Sequence, residues 1–102
     1  ALNNAQNVKA YYATQGEDVA IEIVAYGPGL NMYVADSPVK DRISAMAKES
    51  PDVEFSACGN TLAAMTKKAG KDIPLLSEAH IVPSGVVRLM ELQEQGWSYV
   101  RP

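Results

Sequence analysis

The sequence is poor in the residue types on which several chemistries depend. Among 102 residues there is one cysteine, Cys58, and one histidine, His80. A single thiol excludes an intramolecular disulfide, a Cys-x-x-Cys dithiol and a multi-cysteine zinc site. One Cys and one His fall short of the usual ligand count, so no metal centre is expected. Basic charge is also scarce, with 9 Lys and Arg against 12 Asp and Glu and a net charge of −3. A nucleic-acid partner needs a basic face that displaces counterions, and the one basic pair, Lys67-Lys68, does not supply it. No apolar run approaches the roughly 18 residues of a membrane span. Gly27-Pro28-Gly29 lacks the later glycine of a dinucleotide fingerprint and the Gly-Lys pair of a Walker loop, so no cofactor is expected from it. Repeats, low-complexity tracts and linkers are missing as well.

What is present describes one globular domain over residues 1–102. Hydrophobic residues make up 47% and charged residues 21%, outside the range of disordered chains. A chain of this length buries roughly 60–70% of its unfolded surface, enough for one core without staples. The first residue is Ala1 rather than Met, so a processed or shortened start is expected. A leader removed before Ala1 leaves the compartment, cytoplasmic or periplasmic, open.

Helix and strand patterns alternate along the chain. Ala1, Ala5, Val8 and Tyr12 recur at helical spacing, and Gly16 suits the position just past a helix end. Asp18 to Tyr26 is apolar on both alternating faces apart from Glu22, the pattern of a strand covered on both sides. Gly27-Pro28-Gly29 stops it, and Leu30 to Ala35 reads as a short helical turn. Ser37-Pro38 predicts a helix start, with Val39, Ile43, Met46 and Ala47 as its inward stripe. Val53 to Ala57 predicts a second strand. After the turn Cys58-Gly59-Asn60-Thr61, Leu62, Met65, Thr66 and Ala69 mark a helix closed by Gly70. Lys71 to Glu78 is a loop and Ala79 to Val82 a third strand. A helix follows Pro83-Ser84-Gly85, with Val86, Leu89, Met90 and Gln93 as its expected inward face and Gly96 at its end. Trp97 to Arg101 reads as a closing strand.

Strands joined through helices lie parallel with right-handed crossovers. The expected fold is therefore α/β, three layers α/β/α around a mostly parallel sheet of four to five strands. A helix with nothing before it is odd in such a fold. A first strand is expected to be missing just before Ala1, leaving an edge or gap where it belongs.

Ligands of open parallel sheets bind beyond the carboxyl ends of the strands. Three turns leave those ends, Gly27 to Asn31, Cys58 to Thr61 and Pro83 to Gly85, and topology puts all three on one rim. Gly27, Gly29, Gly59, Asn60, Thr61, Ser84 and Gly85 are the candidate ligand-binding residues there, with Cys58 the candidate catalytic residue. Each has a plainer use: a tight turn for Gly27-Pro28-Gly29, and a helix cap for Ser84. An unperturbed thiol titrates near ~8.5, leaving about 3% thiolate at pH 7. Unpaired amides at a helix start favour the thiolate, and Gly59 admits a close approach. The competing reading makes Cys58 a small buried apolar residue at a strand end. His80 within its strand reads as structural unless it meets Cys58 as a dyad. A hydrolase with Cys58 or Ser84 as nucleophile has only His80 as an obvious base and no recognisable triad. Glu22 on an apolar strand must reach solvent, a cation or a subunit partner; an oligomer contact and a strand-edge position are both open. Tyr11, Tyr12, Tyr26, Tyr33 and Trp97 read as core or interface residues.

Four segments in this order resemble the DsrE/DsrF-like proteins. They are Ala25-Tyr26-Gly27-Pro28-Gly29, Phe55-Ser56-Ala57-Cys58-Gly59-Asn60-Thr61, Val82-Pro83-Ser84-Gly85-Val86, and Leu92-Gln93-Glu94-Gln95-Gly96-Trp97-Ser98-Tyr99. The resemblance covers nearly the whole chain. It implies a three-layer fold whose first strand precedes the segment matching Ala1 to Gln15, and assembly into homo-oligomers, trimers or hexamers. In the sulfur-relay members a cysteine after the third strand carries sulfur as a persulfide, and Cys58 falls at the matching turn. The expected function is persulfide carriage on Cys58, with a sulfur donor or acceptor protein as partner and the question of turnover enzyme or carrier left open. The alternative is a non-catalytic oligomeric module that binds a small ligand at the rim.

Overall fold

A computed structural model describes all residues, Ala1–Pro102. Helix α1 (Leu2–Thr14) is followed by strand β1 (Ile21–Ala25), a 3-10 helix (Gly27–Tyr33), helix α2 (Lys40–Glu49), strand β2 (Val53–Cys58), helix α3 (Gly59–Ala69), strand β3 (Ala79–Val82) and helix α4 (Gly85–Glu94). The three strands form one parallel sheet in the order β1-β2-β3. The register pairs Val24 with Ser56 and Ser56 with His80, and pairs Cys58 with Val82.

This register divides the sheet by chemistry, because strand side chains alternate between faces. Ile21, Ile23, Ala25, Val53, Phe55, Ala57 and Ala79 share one face and belong to the core with Leu30, Tyr33, Ile43 and Met46. Tyr33 and Phe55 meet edge to face at a centroid distance of 6.0 Å. Tyr33 is fully buried, and its hydroxyl donates to the Ile23 carbonyl at 2.6 Å, which satisfies its one polar group. The opposite face carries Glu22, Val24, Glu54, Ser56, Cys58, His80 and Val82 and receives α4. The domain is thus a three-layer α/β/α unit whose layers are chemically unequal. No helix is long and apolar enough to cross a membrane.

Most local readings stand where a local cause sets them. β3 occupies the expected residues, and α3 ends with Gly70 at φ 71°, a left-handed position glycine takes without strain. Several boundaries move: the 3-10 helix takes in Gly27 to Gly29, and β2 runs on to Cys58. β1 begins at Ile21, later than Asp18. α2 begins at Lys40, because the Ser37 carbonyl takes the Lys40 amide in a turn and the first full helical bond runs from Ile43 to Val39. Ser37 still caps locally, its hydroxyl accepting from the Val39 amide at 3.2 Å.

Two expectations are corrected. The inward face of α4 is not the stripe of Val86, Leu89, Met90 and Gln93: Val86 and Met90 are 51% and 55% exposed, while Gly85 and Leu92 are buried. The sheet face beneath α4 holds the Glu22 carboxylate, so the helix turns Arg88 inward to meet it. The closing segment Trp97 to Arg101 is not a strand, and the sheet has three strands rather than four or five. A strand needs a ladder partner, and this segment has none. It lines a groove of about 1140 Å³ together with β1, α1, the 3-10 helix and the end of α4. The Ile21 amide donates to the Asp52 carbonyl, so residues 21, 23 and 25 turn their backbone groups to β2. In a parallel ladder the intervening residues Glu22 and Val24 then turn theirs to the groove. The groove lies where the alternating pattern leaves room for a strand.

Candidate functional site

The three turns expected at one rim do meet. The Gly27 amide donates to Thr61 Oγ1 at 2.9 Å, joining the first turn to the second. The third lies against both: a β-carbon added at Gly85 would stand 3.1 Å from Tyr26 Cβ and 3.2 Å from Cys58 Cβ. One added at Gly59 would stand 3.0 Å from the Val82 carbonyl oxygen. A side chain at either position would need its neighbours to give way by a few tenths of an ångström, so glycine lets the turns close without strain. Gly29 has no neighbour within 4 Å of that kind, and Asn60 is exposed. Those two lie at the margin of the cluster.

Cys58 ends β2 and caps α3, with its Sγ accepting from the Thr61 amide at 3.4 Å. The residue is 5% exposed. Burial pushes the thiol up, but the Thr61 side chain and the backbone amides of Gly85, Thr61 and Asn60 outweigh it, and the net shift is downward. Thr61 Oγ1 already accepts from Gly27, which leaves its hydroxyl hydrogen free for the sulfur. The thiol is covered, but its surroundings are hydrogen-bond donors from two helix starts. Ser84 caps α4 in the same manner, its hydroxyl accepting from the Val87 amide at 3.4 Å.

His80 stays apart. It is exposed on β3 opposite Ser56, two register positions before the partner of Cys58, and no hydrogen bond joins the two. The Cys–His dyad does not form. Glu22 finds its cation within the chain. Arg88 Nε lies 2.8 Å from Glu22 Oε2 and Arg88 Nη2 lies 2.9 Å from Oε1, while the Ser56 hydroxyl donates to Oε2 at 2.8 Å. The Arg88 bonds hold the Glu22 carboxyl below its ordinary range against the cost of burial, with help from Ser56. The pairing spans 66 residues of sequence. The one signal for it is a carboxylate on an apolar strand, for which solvent, a cation or a subunit partner are all open. Nothing in the helical pattern identified Arg88, because its apolar neighbours suggested a different inward face.

The fold and rim define a three-layer α/β protein with a cysteine at the carboxyl end of its central strand. A search of solved structures gives a similar protein, the protein of unknown function MTH1491 from Methanobacterium thermoautotrophicum. It shares 36% sequence identity, the match covers 99% of this chain and 83% of that one, and the TM-score is 0.82. The chain belongs to the same family as that protein. No protein-family model matches the chain, and no curated protein does.

Proposed function

We propose that the protein carries sulfur as a persulfide on Cys58. The observation that supports this reading is the position of the sulfur, which accepts from the start of α3 and has the first amide of α4 beside it. Such an arrangement favours the thiolate over the thiol relative to an unperturbed cysteine. The resemblance of the Cys58 turn to that of the DsrE/DsrF-like proteins points the same way. With thiosulfate as donor, the Cys58 thiolate attacks the outer sulfur. The new S–S bond leaves Cys58–S–S⁻, and the electron pair of the broken bond departs with sulfite. An acceptor thiolate then attacks the outer sulfur, becomes the persulfide, and returns Cys58 as the thiolate. Neither step needs an oxidant or a reductant. The low exposure of Cys58 restricts the donor to a small or slender group.

Intact-mass spectrometry tests this. After thiosulfate or polysulfide the protein should gain the mass of one sulfur atom, and Cys58→Ser should gain none. No adduct with either donor overturns the reading.

A second reading is favoured by the same burial: the rim binds a small ligand without covalent chemistry, and Cys58 serves as the cap of α3. A ligand that raises the melting temperature of wild type and Cys58→Ala equally supports it.

A further inference from the structure

We propose that Arg88 is a positioning residue for Cys58: its two-pronged bond to Glu22 sets α4 on the sheet so that the helix presents its first amide to the sulfur. The inference rests on the reading of Cys58 as a reactive thiolate.

The apolar hold on α4 is small: Val86, Val87 and Met90 are exposed, Leu89 is half-buried, and Leu92 is its one large buried side chain. The guanidinium fork occupies both oxygens of Glu22, so it constrains rotation as well as distance. Glu22 is anchored in turn by Ser56, on the strand that ends in Cys58. Arg88 follows Gly85 by three residues, one helical turn along the same side. A shift of the fork therefore becomes a shift of the Gly85 amide. The tolerance there is small, since a methyl group on Gly85 would stand 3.1 Å from Tyr26 Cβ and 3.2 Å from Cys58 Cβ, tighter than ordinary contact. The charged and titratable groups around the pair are His80 on β3, Glu54 on β2, Glu91 on α4 and Tyr33 below β1. The groups around the sulfur, Thr61, Asn60 and Gly85, are neutral donors.

The test is the pH dependence of Cys58 alkylation by iodoacetamide in wild type, Arg88→Met, Glu22→Gln and Arg88→Lys, with folding checked by circular dichroism. Both Arg88→Met and Glu22→Gln should raise the midpoint by at least about half a pH unit, roughly threefold less thiolate at pH 7. Arg88→Lys keeps the charge but not the fork and should fall between. If Arg88 acted only as a charge through space, Arg88→Met would raise the midpoint and Glu22→Gln would lower it; opposite signs overturn the proposal. A lower melting temperature with an unmoved midpoint also overturns it. Asp52→Asn removes the Lys9–Asp52 pair on another part of the surface. It should leave the midpoint in place, and an equal shift there would mean general loosening and defeat the proposal. If the Met and Gln variants do not fold, Arg88→Lys decides by the same criterion. An ordinary midpoint near ~8.5 in wild type defeats the thiolate reading itself, whereas a depressed midpoint indifferent to these variants defeats only the role of Arg88.

Discussion

α3 and α4 start in the same way but with different atoms. Each follows a strand, opens with glycine, and has a side chain capping the amide three residues on, Cys58 for Thr61 and Ser84 for Val87. Oxygen is the ordinary cap, whereas sulfur is a weak acceptor until it ionises. The second difference is surroundings. Cys58 is buried and receives donors from its own helix and from α4, while Ser84 is partly exposed and serves its own helix alone. Where two helix starts meet on one sulfur, a cap becomes a candidate for chemistry. Where a hydroxyl caps a single helix, stability is explanation enough.

The sharpest way to break this arrangement is to free α4. Arg88→Met strands a buried carboxylate, and loss of one partner of such a pair costs about 3 kcal/mol. Urea denaturation at pH 7 measures it. The sign with pH follows from the lowered Glu22 value. The stabilisation is complete above the unfolded glutamate range and is lost as pH falls through the lower folded value. The gap between wild type and Arg88→Met should therefore close in acid.

Next in size is Gly85→Ala. The added methyl meets Tyr26 and Cys58, and overpacking of this kind costs about 1–3 kcal/mol. It should also slow alkylation of Cys58 at pH 7. Ser84→Ala removes the simpler cap and should cost about 1 kcal/mol while α3 is unaffected. Gly29→Ala is the smallest, within about 0.5 kcal/mol of wild type, because its position is open and its backbone is not left-handed. A large loss there would show that the first turn is packed more tightly than the geometry indicates.

The contrast between the two helix starts also explains what was legible in the residues. Gly70 and the Ser84-Gly85 start of α4 act within a few residues, and the pattern placed them. The meeting of the three turns followed from topology alone, since parallel strands send their connections to one rim. The inward face of α4 did not follow from hydrophobicity, because it is set by Glu22, 66 residues away. The Gly27–Thr61 bond likewise depends on how two turns settle against each other. Trp97 to Arg101 has the composition of a strand but no partner across the groove, and composition does not form a ladder.

The most direct test of the central claim is the titration of the Cys58 thiol in the wild-type protein, read from its alkylation rate between pH 5 and pH 10 (roughly spanning the thiol range). Donors from two helix starts predict a midpoint below the ordinary thiol value of about 8.5. A midpoint at or above that value, as burial alone would produce, contradicts the account.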